Sequence, residues 1–450
     1  MSRKKLTKAA ASWRLDLKTL RFIPTHWIPW IIWSIVGFYY LFDVVLRVMP
    51  SSMAPEIMSS FHMNASQFGL FTSMYYVSYV VMQIPAGLIV DRFSIRKSLF
   101  TAALMCLGGL LIVHSTTIMS VAYFGRFIIG LGSSFAYVYT LKVATIWLPK
   151  RHFGMATCIA DSLAMLGMIV VDVVFVRVSQ SAGMWVSILS LVITGVIAAL
   201  LIFFVFRDKT SSKHEQALNR EDTRDLRHIL SKLAKIVKKP QVWLIGVVGC
   251  LTYLPASVIG DTWGIPFLQS VYHLSREGAG NVVSALSFGW ILAGPFVGAW
   301  SDRTRQRVLP MKLTVGFCAL FMALIVLLPL VSSVLLPNAV VMFLFFMVGV
   351  TTGSHPLVFA MARENFDDRI AGTVVAVVNT LTMLGGWVFQ PLIGFVMDRM
   401  CCNAQASSIL ASYTARDFSY ALSIVPLGLL LCFILIFFIK ETGNKIAYDT

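Results

Sequence analysis

The sequence predicts an all-α membrane protein with twelve transmembrane helices in two pseudo-symmetric halves of six, and with both termini in the cytoplasm. Three observations predict this fold class. The 450 residues are 57% hydrophobic and 13% charged, whereas soluble globular proteins are typically about 25% charged. The apolar residues form blocks long enough to cross about 30 Å of hydrocarbon. The Lys and Arg residues are crowded into alternate loops. A soluble enzyme, a nucleic-acid-binding protein and a disordered scaffold are therefore excluded.

Twelve apolar segments follow one another along the chain. We expect spans that start near residues 28, 66, 98, 119, 152, 183, 242, 276, 311, 336, 370 and 417. This pattern divides the chain into a basic cytoplasmic arm (1–26), a first half (27–206), a charged cytoplasmic linker (207–240), a second half (241–440) and a cytoplasmic tail (441–450). The other loops are short, so any function must lie within the bundle of helices.

The distribution of basic residues predicts the orientation. Of the 37 Lys and Arg residues, 30 lie in the arm, the linker, the tail and the loops on the same side, and four lie in the opposite loops. Short loops rich in Lys and Arg stay in the cytoplasm. The net charge of +16 therefore reflects orientation in a membrane, and no nucleic-acid partner is expected.

The two halves carry a repeated pattern. Gly87-Leu-Ile-Val-Asp91-Arg92 closes the second span, and Gly298-Ala-Trp-Ser-Asp302-Arg303 closes the eighth, 211 residues later. Basic residues follow each copy. An internal repeat of six spans is typical of secondary transporters.

These two loops, together with Gly125-Arg126-Phe-Ile-Ile-Gly130-Leu-Gly132 in span four, resemble the signature motifs of the major facilitator superfamily. The resemblance implies two six-helix lobes that alternate access to a central polar cavity, and a gate at the cytoplasmic mouth. The gating residues that it implies are Gly87, Asp91, Arg92, Arg96, Lys142, Gly298, Asp302 and Arg303.

Looser similarities point to narrower groups. Arg47-Val-Met-Pro50 and Trp263-Gly-Ile-Pro266 resemble bacterial siderophore and nutrient facilitators. An acid and an arginine in span one resemble organic-anion/proton symporters. Those symporters place a Glu in span four where this chain has Ser133, so their coupling scheme does not transfer whole.

Ionisable side chains inside the spans are costly unless they are paired or wetted, so each one is a functional hypothesis. Seven lie within the spans: Asp43, Arg47, Arg126, Lys142, Asp161, Asp172 and Asp261. Asp43 and Arg47 are four residues apart and share a helix face with Tyr39. The pair has two interpretations, a coupling site or a structural ion pair. Arg126 is either a cation of the cavity or a packing anchor.

Proton coupling is expected to use one of the buried acids. Burial raises the pKa of a carboxyl group and a nearby arginine lowers it. An acid that loses its arginine when substrate arrives can therefore take up a proton. Asp43 is the first candidate for this role, and Asp261 and Asp172 are the alternatives.

The cations Arg47 and Arg126 suggest a substrate that carries a carboxylate. Polar side chains on several spans are expected to complete the pocket, with packing as an alternative role for the tyrosines and the histidine: Tyr39, Tyr76, Tyr79, Gln83, Trp263, Asn281, Asn379, Gln390 and His355. Buried amides need hydrogen-bond partners in hydrocarbon, which favours Asn379 and Gln390 as pocket residues.

The sequence therefore predicts a secondary transporter, not an enzyme, that imports a small polar solute with protons in a bacterial inner membrane. A siderophore of the hydroxycarboxylate type, an organic acid and an amino acid all fit. We expect a monomer in the lipid bilayer that is driven by the proton gradient and uses no cofactor or metal. The alternatives are a proton-driven exporter, for example of a siderophore, and more remotely a transporter-like receptor or a membrane-embedded transferase.

Overall fold

The computed structural model describes residues 27–149, 152–208, 234, 236–332, 335–365, 368–401 and 412–441, which form helices and turns without strands. The side chains of residues 84, 87, 88, 90–92, 153, 154 and 368–372 lie outside the described part. The predicted arm (1–26), most of the predicted linker and nearly all of the predicted tail also lie outside the described residues.

Long helical segments follow the order that the sequence predicts. They are α1 (Ile28–Ser52), α2 (Ala65–Arg92), α3 (Ile95–Ser115), α4 (Met119–Trp147), α5 (Met155–Ser181), α6 (Gly183–Phe204), α7 (Pro240–Val271), α8 (Arg276–Thr304), α9 (Val308–Val326), α10 (Asn338–Glu364), α11 (Asp368–Met400) and α12 (Ala415–Ile436). A short helix, Ala54–Ser60, follows α1.

Eleven of these segments are long and apolar enough to cross a membrane. The remaining one, α2, has 28 residues and is about 42 Å long at ~1.5 Å per residue. Polar residues, among them Tyr75, Tyr76, Tyr79 and Gln83, lie along α2. Eleven of the twelve predicted spans are thus helices of suitable length and composition, and the count of twelve spans and the orientation of the termini stay predictions.

The internal repeat has a structural counterpart at the start of the third helix of each half. In the first half, Asp208 accepts hydrogen bonds from the Ser94 hydroxyl (2.5 Å) and the Arg96 N–H (3.2 Å) at the start of α3. In the second half, Glu441 accepts from the Arg307 N–H (2.7 Å) and the Val308 N–H (3.0 Å) at the start of α9. In each half, an acid that follows the last helix caps the third helix and satisfies its free N–H groups.

Two helices contain π-helical turns, and both turns carry a buried acid. The turn Pro255–Trp263 in α7 contains Asp261, and the turn Val170–Phe175 in α5 contains Asp172. Pro255 has no N–H to donate to the preceding turn, which disrupts α-helical hydrogen bonding there. Widened turns of this kind occur frequently at functional sites.

The fourth span is interrupted at Ser134 and Phe135. Arg126 and Ser133 lie before this interruption, and Tyr137 lies after it. Arg126 lies against α1, and Tyr137 packs on Tyr40 of the same helix with ring centroids 5.5 Å apart while its hydroxyl donates to Asp161 of α5 over 3.4 Å.

The helices α8 and α10 touch backbone to backbone at Gly349. A Cβ atom on Gly349 would lie 1.9 Å from the Leu286 carbonyl oxygen of α8. Because that oxygen belongs to a helix backbone, it cannot move aside alone. The contact therefore requires a residue without a side chain.

Gly349→Ala should force α8 and α10 apart, and we expect a loss of about 1–3 kcal/mol in stability, as is typical of overpacking. The measurement is the thermal unfolding midpoint of the purified variant in one detergent. Gly294→Ala in α8 is the matched control, because a Cβ atom there meets nothing within 4 Å. Its midpoint should stay equal or rise, and an equal response of both variants would refute the close contact.

Candidate functional site

The centre of the candidate site is an ion pair that joins the two halves. Arg47 of α1 places its Nε atom 3.2 Å from Oδ2 of Asp261 in α7, and their side chains are only 9% and 1% exposed. The Tyr76 hydroxyl of α2 donates a short hydrogen bond to the same oxygen. A carboxylate of the second half is thus held by a cation and a phenol of the first half.

The ion pair leaves hydrogen-bonding capacity unused. Nε and Nη2 of Arg47 and Oδ1 of Asp261 are buried without a hydrogen-bond partner among the described residues, so Nε meets Asp261 as an ion pair and not as a hydrogen bond. A buried polar atom of this kind costs free energy unless a partner is found. The guanidinium can therefore accept a further anion, and the carboxylate can accept a further donor.

Asp43 and Arg47 lie four residues apart on α1, but the structure describes no ion pair between them. It accepts a hydrogen bond from the Tyr75 hydroxyl of α2 at 2.9 Å and contacts Ser133 of α4. Arg47, one turn further along α1, reaches across to α7 instead. The predicted pair is thus divided between two sets of partners, one within the first half and one between the halves.

Arg126 acts as an anchor between α4 and α1 in this conformation. It is 1% exposed and donates from Nη1 to the Leu46 carbonyl (2.8 Å) and from Nη2 to the Arg47 carbonyl (3.2 Å). Pro50 lies in α1 four residues after Leu46 and has no N–H, so the Leu46 carbonyl lacks its usual helical donor. This geometry favours the packing interpretation of Arg126 over direct substrate contact.

Asp172 is the buried acid without a visible partner. It is fully buried, and neither carboxylate oxygen has a hydrogen-bond partner among the described residues. The nearby charge that acts on it is another acid, Asp261. Its own backbone carbonyl lies against Gly280 of α8. Asp172 therefore lies where the two halves meet, without a described group to stabilise a negative charge.

Three of the predicted pocket residues hold helices together, namely Tyr39, Trp263 and Gln390. The Tyr39 hydroxyl donates to the Gly132 carbonyl of α4 at 3.1 Å. Trp263 donates from Nε1 to the Gln390 carbonyl at 3.2 Å, and the Gln390 amide donates to the Ser257 carbonyl at 2.7 Å. These contacts tie α1 to α4 and α7 to α11.

The remaining pocket candidates on α2 lie beside the ion pair. Tyr79 stacks on Tyr75 with ring centroids 6.0 Å apart, and Gln83 lies one turn further along α2. Tyr79 and Gln83 are 8% and 4% exposed. With Tyr76, they form a row of buried polar side chains along α2.

His355 lies in an aromatic cluster that reaches the ion pair. Its Nδ1 atom is 3.1 Å from the Thr252 hydroxyl, and its ring packs against Tyr253 and Trp290 at centroid distances of 5.1 and 5.8 Å. Tyr253 in turn lies beside Arg47. His355 is therefore separated from Arg47 by the ring of Tyr253.

Two predicted residues lie away from this centre. Asn281 lines a groove of about 390 Å³ between α8 and α10, together with exposed apolar side chains such as Phe288 and Phe343. Asn379 is half-buried on α11, eleven residues before Gln390. Neither residue has a described contact with Arg47 or Asp261.

The predicted gating residues lie at the opposite ends of these helices, on the predicted cytoplasmic side. The side chains of Gly87, Asp91 and Arg92 lie outside the described part. Arg96 stays within its own half, since it donates to the Phe203 carbonyl and lies over the Phe203 ring. Lys142 is half-buried on α4.

The second copy of the loop pattern forms an ion-pair network within its own half. Arg307 donates to Asp302 (2.5 Å) and Glu364 (2.8 Å). Partial burial lowers the pKa of Arg307, but the hydrogen bonds to Glu364 and Asp302 outweigh this effect and hold the pKa above its usual value. Arg303 is exposed, and Gly298 has no atom within 4 Å of its Cβ position.

Sequence reasoning missed several residues that the structure brings into the site or the gates. Tyr75 precedes the chosen Tyr76 and faces Asp43, while Tyr253 sits two residues before the turn of α7. Asp398 lies in Gly394-Phe-Val-Met-Asp398-Arg399, which repeats the loop pattern a third time. That third copy was a readable signal in the sequence.

Known proteins share this architecture. The family model described as Major Facilitator Superfamily matches residues 36–390. Among solved structures, a bacterial homolog to the human lysosomal transporter Spinster, in an inward-facing and unoccupied conformation, superposes with a TM-score of 0.71 at 12% identity, over 95% of this chain and 99% of that one.

Several curated relatives of low identity are named as transporters. The uncharacterized transporter YybO of Bacillus subtilis is 24% identical over 82% of this chain and 87% of its own length. The probable sulfoacetate transporter SauU of Cupriavidus necator is 24% identical over 80% and 85%. The L-fucose-proton symporter of Escherichia coli is 23% identical over 77% and 82%. With its helical fold and the match over most of its length, the chain belongs to the Major Facilitator Superfamily of membrane transporters.

Proposed function

We propose that this protein is a proton-coupled symporter that imports a small organic anion bearing a carboxylate into the cytoplasm. The observation that carries the proposal is the buried ion pair between Arg47 and Asp261, which lie in opposite halves. The pair supplies a cation for the anion and an acid for the proton at a single place between the moving parts.

The ion pair makes binding of the proton and binding of the substrate anion depend on one another. A proton on Asp261 alone would leave Arg47 as a buried cation without its partner. A substrate carboxylate on Arg47 alone would leave Asp261 as a buried anion. Breaking a buried pair by removing one partner costs roughly 3–5 kcal/mol, or about two to four orders of magnitude in affinity. Loading both together keeps the charges balanced.

This proposal assigns the role of proton carrier to Asp261, whereas the sequence favours Asp43 as the first candidate. Asp43 keeps its Tyr75 and Ser133 partners within the first half, so an anion at Arg47 weakens the effect of that cation on Asp43 but breaks no described contact of Asp43. Asp261 loses its guanidinium partner in the same event. Tyr76 stays as a hydrogen-bonding partner for the protonated acid.

The relatives support the two parts of the proposal separately. Sulfoacetate, the solute named for SauU, is a small anion with a carboxylate and a sulfonate. Proton symport is named for the L-fucose-proton symporter. A hydroxycarboxylate siderophore and an amino acid present the same carboxylate to Arg47 and belong in the same screen.

The function is tested by uptake into proteoliposomes. A thermal-shift screen of carboxylates first finds a ligand, because a solute that binds the native state raises its apparent stability. We then expect that solute to accumulate under a pH gradient, acidic on the outer side, and an uncoupler to abolish accumulation. Binding of the solute without uptake would indicate a receptor. Transport of the solute only in the outward direction would indicate an exporter.

Asp261→Asn should separate exchange from accumulation. The amide mimics the protonated acid, so the variant should bind solute and exchange it across the membrane, but it should not concentrate solute under a pH gradient. The measurement compares counterflow with gradient-driven uptake in the same vesicles. Asp172→Asn makes the same chemical change at an equally buried acid that has no described partner, and it should still accumulate solute.

Gradient-driven accumulation by a folded Asp261→Asn variant would contradict the assignment. If accumulation is instead lost in Asp172→Asn or in Asp43→Asn while exchange persists, the proton role belongs to that acid.

Arg47→Gln should weaken solute binding directly. Loss of a charge-assisted hydrogen bond is worth about 1.5–3 kcal/mol, or roughly a tenfold to hundredfold rise in Kd. Arg47→Lys should restore only part of the affinity, because an ammonium lacks the planar fork of a guanidinium. Calorimetry on the purified variants gives the Kd values.

The control is Arg177→Gln on α5, which removes one positive charge from an exposed position and should leave the Kd unchanged. An unchanged Kd in a folded Arg47→Gln variant would exclude Arg47 as the anion site.

A further inference from the structure

The third copy of the loop pattern lies at the end of α11, on the predicted outer side. Gly394-Phe-Val-Met-Asp398-Arg399 has the same spacing as Gly87 to Arg92 and Gly298 to Arg303. Those two copies close α2 and α8 on the predicted cytoplasmic side. The third copy therefore offers the same residues to the opposite end of the bundle.

Asp398 caps the first turn of α2, across the boundary between the halves. Its Oδ1 atom accepts from the Ala65 N–H (3.1 Å), and its Oδ2 atom accepts from the Ser66 N–H (2.9 Å) and, by a short hydrogen bond, from the Ser66 hydroxyl. The next N–H, that of Gln67, is capped by the Asn64 side chain at 2.9 Å. The first N–H groups of a helix have no partner inside it and carry partial positive charge, so a carboxylate is well suited to them.

Tyr413, just before α12, completes the contact. Its hydroxyl donates to Oδ1 of Asp398 (2.5 Å) and accepts from the Ala65 N–H (2.9 Å). Burial and the neighbouring Asp398 carboxylate raise the pKa of Tyr413, so the phenol keeps the proton that it donates. Asp398, Tyr413 and the first turn of α2 together form what we call the outer clasp.

The glycine of the pattern allows the clasp to close. Gly394 lies one helical turn before Asp398 and on the same face of α11. A Cβ atom on Gly394 would lie 2.1 Å from the Ala65 carbonyl oxygen. Only a residue without a side chain lets the end of α2 approach close enough for Asp398 to reach its N–H groups.

The copy of the pattern on α8 makes no described contact of this kind with the other half. Asp302 is 70% exposed and bonds to Arg307 of its own half, and a Cβ atom on Gly298 would meet nothing within 4 Å. The copy on α11 is thus engaged with the other half, whereas the copy on α8 has no described contact with the other half.

We propose that the outer clasp is a gate lock, in which Asp398 holds the outer side closed by capping α2 and releases α2 when the outer side opens. The outer side also has an ion pair between Arg276 and Glu56 at 2.7 Å, but pairs that are partly exposed contribute little. The clasp binds no solute and no transported proton, so the proposal does not depend on the substrate.

Hydrogen exchange of the full-length protein in nanodiscs, read by mass spectrometry, tests the lock. In Asp398→Asn, the amide group can accept through only one oxygen and carries no charge. We expect exchange in peptides that cover residues 61–72 to rise roughly tenfold to hundredfold. We also expect exchange to slow at the cytoplasmic ends of α4 and α10, because the population moves to the state that is closed on that side.

The matched control is Asp302→Asn, the same change in the disengaged copy, which should leave residues 61–72 protected. If Asp398→Asn does not fold, Tyr413→Phe removes a donor from the same clasp and is expected to give the same pattern with a smaller rise. Unchanged exchange at 61–72 would overturn the clasp. Faster exchange at 61–72 without slower exchange on the cytoplasmic side would show that Asp398 only stabilises α2 and does not switch the conformation.

Discussion

The buried ion pair between Arg47 and Asp261 is the interaction on which the rest of the central site depends. Each charge is costly to bury alone, and each is tolerable beside the other. Because the two residues belong to different halves, the pair opposes any motion that separates the halves at this depth. The motion becomes affordable when another anion and a proton replace the two partners. Binding of the anion and the proton and separation of the two halves therefore both depend on this one contact.

The surrounding structure supplies what the pair requires. The widened turn of α7 carries Asp261 to the boundary between the halves, and Arg126 secures the part of α1 that bears Arg47 by bonding carbonyls near Pro50. Closure at the predicted outer side rests on a second kind of contact, a carboxylate on a helix N-terminus. The ion pair therefore responds to the bound anion and proton, while the outer clasp determines which side of the molecule is closed.

The sequence predicts the helices and the buried charged residues, but it does not predict which of these residues contact one another. Apolar block lengths predict the helices, and the cost of burying charge selects Asp43, Arg47, Asp172 and Asp261 as residues of interest. Helical periodicity places Arg47 on a face, but it cannot say which helix of the other half lies opposite. The pairing of Arg47 with Asp261 in place of Asp43 is for that reason a result of the structure. The role of Asp398 likewise depends on where α2 begins in space, although its sequence pattern was visible.

The most direct test of the account is to count the protons taken up when solute binds to the purified protein. Calorimetry in buffers of different ionisation enthalpy gives this number without any membrane or gradient. The account predicts an uptake of about one proton per solute at a pH where Asp261 is otherwise ionised, and none in Asp261→Asn, by the linkage between binding and protonation. Solute binding to the wild-type protein without proton uptake would contradict it.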